Sequence, residues 1–248
     1  LAGADGVLPF GISRLFAGLV FCLGLILVIV GGAELFTGNT LIVMAWAAGK
    51  IRFRDILRVW TIVYLGNFVG AVGTAALVFL SGQYLSGKGQ TAIVALSLAS
   101  GKVSLPFDQA FFLGILCNVL VCLAVWLSFS ARTVSDKVLA VIFPISAFVA
   151  AGFEHSVANM YLVPLGLFIK QWAPAEMWPL VGADPSLYAP LTWPNFLISL
   201  VPVTLGNIVG GAGLVGAVYW FIYLRPKRRR RQRSGKSLDR AQQLENAN

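Results

Sequence analysis

Charge is scarce in this chain, and groups able to do acid, base or metal chemistry are scarcer. Of 248 residues 12% are charged, ten are Asp or Glu, three are Cys and one is His. Soluble domains carry about 25% charged residues, so this composition does not furnish a water-facing surface around a globular core. Cys22, Cys117 and Cys122 lie in apolar segments without the spacing of a metal site or a disulfide framework. They read as buried apolar fillers, and neither a metal nor a cofactor is expected. The chain also lacks a signal-peptide pattern, opening at Leu1 in a polar, glycine-containing stretch with no charged n-region.

What is present is apolar, with 58% hydrophobic residues. Several runs approach or exceed about 20 apolar residues, the length that crosses roughly 30 Å of hydrocarbon as a helix. The expected class is an all-α integral membrane protein with spans at about 15–48, 59–80, 107–129, 138–169 and 196–224. Residues 1–224 would form the transmembrane domain, and 225–248 a basic, disordered tail. The stretch from 81 to 106 reads as a polar loop carrying Lys88 and Lys102, and 171–194 as a Trp- and Pro-rich interfacial segment.

Lys and Arg in short loops set orientation. The turn from Lys50 to Arg58, the turn at Arg132 and Lys137, and the tail after Arg225 fall on one side, which should be cytoplasmic. The C-terminus is then cytoplasmic and Leu1 is not, an arrangement that a missing first helix would explain. The run Arg225 to Arg233 resembles a nucleic-acid patch, but directly after a span it reads as an orientation signal touching anionic lipid, with no nucleic-acid partner.

Two spans carry interruptions. The first, Glu34 to Asn39, is followed by a short apolar piece from Thr40 to Ala48; the second lies at Gly152-Phe153-Glu154-His155. Gly32, Glu34 and Asn39 recur in register as Gly152, Glu154 and Asn159, and Leu65-Gly66-Asn67 is echoed by Leu205-Gly206-Asn207. Adding one span before Leu1 makes two halves of three spans that run oppositely through the membrane. In such inverted repeats, interrupted helices meet near the midplane, where freed backbone groups replace the hydration of an ion.

Glu34 and Glu154 at membrane depth call for a purpose; the reading preferred here is a brace that accepts hydrogen bonds from freed amides. His155, the sole histidine, sits at an interruption and titrates near neutral pH; protonated, it would attract an anion and allow cargo to leave as the neutral acid. Thr37 offers a hydroxyl and an amide to a small oxyanion, or a helix cap. Asn67, Asn118, Asn159 and Asn207 read as helix-to-helix hydrogen bonders, with Asn207 alone assigned to the pore. Phe21, Leu25, Leu35, Phe36 and Phe148 could form apolar gates.

At Glu34-Leu35-Phe36-Thr37 and from Gly152 to Met160 the sequence resembles the formate/nitrite transporter family, and the likeness extends from about Pro9 to Leu224. It implies an aquaporin-like fold of six spans, of which the first is missing here, assembled in a bacterial inner membrane as a homopentamer with one anion pore per subunit. It places Thr37 and His155 at the central site with Asn207 nearby. Leu25, Leu35 and Phe36 would form the cytoplasmic-side constriction and Phe21 and Phe148 the other, Glu34, Glu154 and Asn159 would support the breaks, and Lys102 would lend positive potential. The cargo implied is formate, with nitrite or hydrosulfide as alternatives. A membrane enzyme using His155 and Glu154 is the rival from another class, and a structural membrane protein docking through its tail is a third reading.

Overall fold

The computed structural model describes residues 8–225. Among these, five helices are long and apolar enough to cross a membrane: α1 (Phe10–Gly31), α4 (Phe53–Leu80), α6 (Phe107–Ser128), α7 (Val134–Ala151) and a composite stretch Pro185–Leu224 that contains α10 (Trp193–Ile208). Large apolar side chains such as Val20, Leu80 and Phe143 stand exposed on their outer faces, as a bilayer solvent requires. The expected tail lies outside the described residues apart from Arg225.

Helix α1 ends at Gly31 because Gly32 adopts a left-handed conformation, φ 74°, while the Gly32 and Ala33 amides both donate to the Val28 carbonyl. Leu35 is extended, and helical backbone resumes at Phe36 rather than at Thr40, through α2 (Phe36–Asn39), a 3₁₀ turn over Thr40–Ile42 and α3 (Val43–Ala47). The gap is therefore shorter than the polarity of Glu34 to Asn39 suggested. Helix α7 ends in the same way at Gly152, φ 75°, with the Phe153 amide donating to the Phe148 carbonyl. After extended His155 the chain enters α8 (Ser156–Trp172), which is buried along most of its length.

The expected loop over 81–106 holds a fourteen-residue helix instead, α5 (Gln90–Val103). Its Ala92, Leu96 and Ala99 are completely buried, and their i, i+4, i+7 spacing forms a narrow stripe of small and medium residues that packs on α8. The Trp- and Pro-rich segment likewise contains a short helix, α9 (Met177–Val181).

Close approach of helices depends on glycine at several contacts. A Cβ on Gly18 of α1 would lie 2.8 Å from the Ser146 backbone of α7, and one on Gly206 of α10 would collide with the Phe111 carbonyl of α6. Gly210 meets the Ile115 carbonyl just as tightly. Without a hydrophobic drive between helices in lipid, such small-residue contacts hold the bundle by dispersion.

Candidate functional site

The two gaps bring the starts of α2 and α8 together. Thr37 Oγ1 lies 2.9 Å from His155 Nε2, joining residues 118 positions apart. His155 is also the cap of α8, because its Nδ1 accepts the Ala158 amide at 3.0 Å. An amide can only donate, so Nδ1 carries no proton in this arrangement; the ring is the neutral Nε2–H tautomer and donates to Thr37. An imidazolium has no acceptor nitrogen, and so the charged ring and this cap exclude each other. Thr37 is completely buried behind the imidazole. Its hydroxyl is therefore accessible only when the contact with His155 opens.

The first freed amide after each gap is taken by asparagine rather than by glutamate. Asn67 Oδ1 accepts the Phe36 amide at 2.9 Å and its Nδ2 donates to the Glu34 carbonyl at 3.0 Å. Asn207 Oδ1 accepts the Ser156 amide at 2.9 Å and its Nδ2 donates to the Glu154 carbonyl at 3.0 Å. This differs from the expected glutamate brace. It also removes Asn207 from the pore, since both ends of its amide face backbone groups.

The glutamates do something else. Glu34 accepts from Asn39 Nδ2, and Glu154 accepts from Asn159 Nδ2, each five residues on. Glu34 is exposed, whereas Glu154 is buried and also takes Lys102 Nζ, at 2.8 and 3.0 Å on its two oxygens. Lys102 thus reaches the site from the last turn of α5. Asn118 on α6 donates to the Thr37 carbonyl at 3.2 Å and to the Asn207 carbonyl at 2.6 Å. It ties the two gaps together from behind.

Three cavities run in series past this centre. The first vestibule, about 400 Å³, is lined by Arg14, Lys102, Glu154, Phe21, Phe148 and His155 among others. It shares Phe21, Phe148, His155 and Ala158 with a central chamber of about 230 Å³. That chamber shares Leu25, Val28 and Leu35 with a second vestibule of about 710 Å³, which holds Glu34, Asn39 and Lys137. Phe21 and Phe148 pack edge to face at 5.6 Å, and Phe148 stacks on the His155 ring at 6.0 Å. Two apolar necks therefore flank a chamber whose polar side chains are His155 and Tyr161.

Of the residues expected at the constrictions, Phe21, Leu25, Leu35 and Phe148 line this route. Phe36 does not: it is buried against Trp60 and Tyr64 of α4, with ring centroids 6.2 and 4.9 Å away. Its aromatic ring finds more contact surface there than in the narrow neck. Val28 at the second neck was missed because nothing in its sequence context separates it from other lipid-span valines.

A family model described as formate/nitrite transporter matches residues 2–221. The chain is 48% identical over 221 residues to the formate channel FocA of Escherichia coli K12, covering 89% of this chain and 78% of that protein. It is 47% identical over 209 residues to FocA of Haemophilus influenzae, covering 84% and 74%. Among solved structures it resembles a pentameric formate channel with formate bound, with a TM-score of 0.84 and 46% identity, covering 90% of this chain and 88% of that one.

Proposed function

The chain belongs to the formate/nitrite transporter family, and from that premise we propose that it forms a membrane pore for small monovalent anions with formate as its cargo. Its relatives are channels and transporters, so the enzyme reading built on His155 and Glu154 falls. The observation that carries the proposal is the Thr37–His155 contact at the centre of a run of cavities with an apolar neck on either side. A formate ion suits this chemistry: it is small enough for the chamber, and its oxygens can accept from an Nε2–H and a hydroxyl such as those of His155 and Thr37.

The halves are read as an inverted repeat of aquaporin type. Supporting this are the twin glycine ends at Gly32 and Gly152, the extended pair Leu35 and His155, and the like roles of Asn67 and Asn207. The protein is read as a homopentamer in the bacterial inner membrane, by likeness to the pentameric neighbour. The basic turns at Lys50 to Arg58 and Arg132 to Lys137 support a reading in which the second vestibule and the C-terminus face the cytoplasm.

Proton coupling would run through His155. Taking up a proton at Nδ1 breaks the Ala158 cap, and the ring released from α8 can turn its N–H groups from Thr37 toward the anion; returning the proton to the bound anion restores the cap and yields a neutral acid that crosses the apolar necks. Formate, nitrite and hydrosulfide uptake into liposomes carrying the purified protein tests the cargo. Fastest formate uptake supports the proposal, and dominant nitrite or hydrosulfide uptake reassigns it within the family.

A further inference from the structure

The first vestibule contains two cations, and one of them is cancelled. Lys102 is ion-paired with Glu154 at 2.8 Å. Arg14, partly buried on α1, faces the same cavity, and among the described residues no carboxylate lies within ion-pairing distance of it. Its guanidinium is held rather than loose. It sits 5.1 Å from the Phe10 ring centroid, and the point that a Cβ on Gly152 would occupy lies 3.9 Å from both terminal nitrogens. Gly152 has φ 75° and carries no side chain, so nothing at the gap screens the guanidinium from the vestibule. An arginine placed only to reach the membrane interface would extend its head away from the bundle; this one turns into the cavity that leads to His155.

The second vestibule is built differently. Lys137 there shares its cavity with exposed Glu34, so its two formal charges offset. Counting the charged side chains that line each cavity leaves one net positive charge in the first and none in the second.

We propose that Arg14 is an anion-capture residue: it holds small monovalent carboxylates in the first vestibule and raises their concentration before the Phe21–Phe148 neck. Low-dielectric walls focus such a charge, and focusing raises capture by about 10-fold or more at low salt. The planar guanidinium also offers a carboxylate two parallel donors. This inference rests on the reading of the protein as an anion pore.

The test is initial formate uptake into proteoliposomes, at formate well below saturation, as ionic strength is raised from about 0.02 M to about 0.5 M with an impermeant salt, which shortens the screening length to a few ångströms. Wild-type uptake is expected to fall roughly threefold or more. Arg14→Gln should start low, respond little to salt and converge with wild type at the high end, which also demonstrates an intact pore. Arg14→Lys should keep most of the salt response. A Gln variant as salt-sensitive as wild type, or a Lys variant that behaves like Gln, overturns the role of charge at this position. Should the Gln variant not assemble, the wild-type titration decides alone, and a flat one rejects the inference. Absence of formate uptake by wild type at every ionic strength instead strikes the pore reading itself, and this inference with it.

Discussion

Asn67 and Asn207 make the same pair of hydrogen bonds at the two gaps: each accepts the first freed amide of the helix that follows, Phe36 or Ser156, and each donates to the carbonyl of the preceding glutamate. A gap in a membrane-buried helix strands backbone groups that lipid cannot satisfy, and one carboxamide, with a donor and an acceptor on a planar head, answers two of them at once. This explains why the glutamates are free to form a separate layer with Asn39, Asn159 and Lys102.

Replacing either asparagine by leucine should therefore destabilise the fold by leaving two backbone groups unpaired, at about 1–3 kcal/mol each when buried. Asn207→Leu is expected to cost more than Asn67→Leu, because Asn207 is completely buried whereas the Asn67–Glu34 bond is exposed. Thermal dissociation of the detergent-solubilised protein measures the difference; equal stability of Asn207→Leu and wild type would refute the brace.

The Lys102–Glu154 pair is largely withdrawn from solvent, with side-chain exposures of 15% for partly buried Lys102 and 6% for buried Glu154. Glu154→Gln leaves an uncompensated ammonium, a loss of about 3–5 kcal/mol for buried pairs. The double variant Lys102→Met with Glu154→Gln should recover much of that, since no charge remains to be stranded. Thermal melts of the two variants check the order, and a double variant less stable than Glu154→Gln would contradict it.

His155→Phe removes the proton site while keeping a flat ring beside Phe148. Formate uptake by wild type should rise as the external pH falls, and the variant should show a flat profile; a variant with the wild-type profile would take His155 out of proton coupling. Thr37→Val should lower flux at every pH without altering the oligomer, and normal flux would remove Thr37 from the route.

Much of this architecture can be read from residues alone. Uninterrupted apolar runs announce α4 and α6, and the recurrence of Gly, Glu and Asn marks both gaps, because left-handed termination and carboxamide pairing leave recognisable residues in fixed places. Helix α5 escapes the same reading, since its buried stripe is three residues wide and its Gly, Ser and Lys resemble a loop; only packing on α8 makes it a helix. The first gap is shorter than its sequence suggests for a related reason: Thr37, Gly38 and Asn39 are poor helix formers held in helical geometry by α4 and α6. Phe36 shows a further limit. Neighbours in sequence, Leu35 and Phe36, face opposite ways, one into the neck and one into Trp60 and Tyr64, and which faces which depends on the exact residue where helical backbone resumes.

Leu35 offers the most direct test of the route itself, because it lines both the central chamber and the second vestibule. Formate uptake should be measured for wild type and Leu35→Trp in liposomes, with the oligomer checked by size. The account predicts fast uptake by wild type and a loss of about 10-fold or more in the variant, as expected when an apolar constriction is filled. Uptake by an intact Leu35→Trp protein at the wild-type rate would mean that formate does not pass between Leu25 and Leu35.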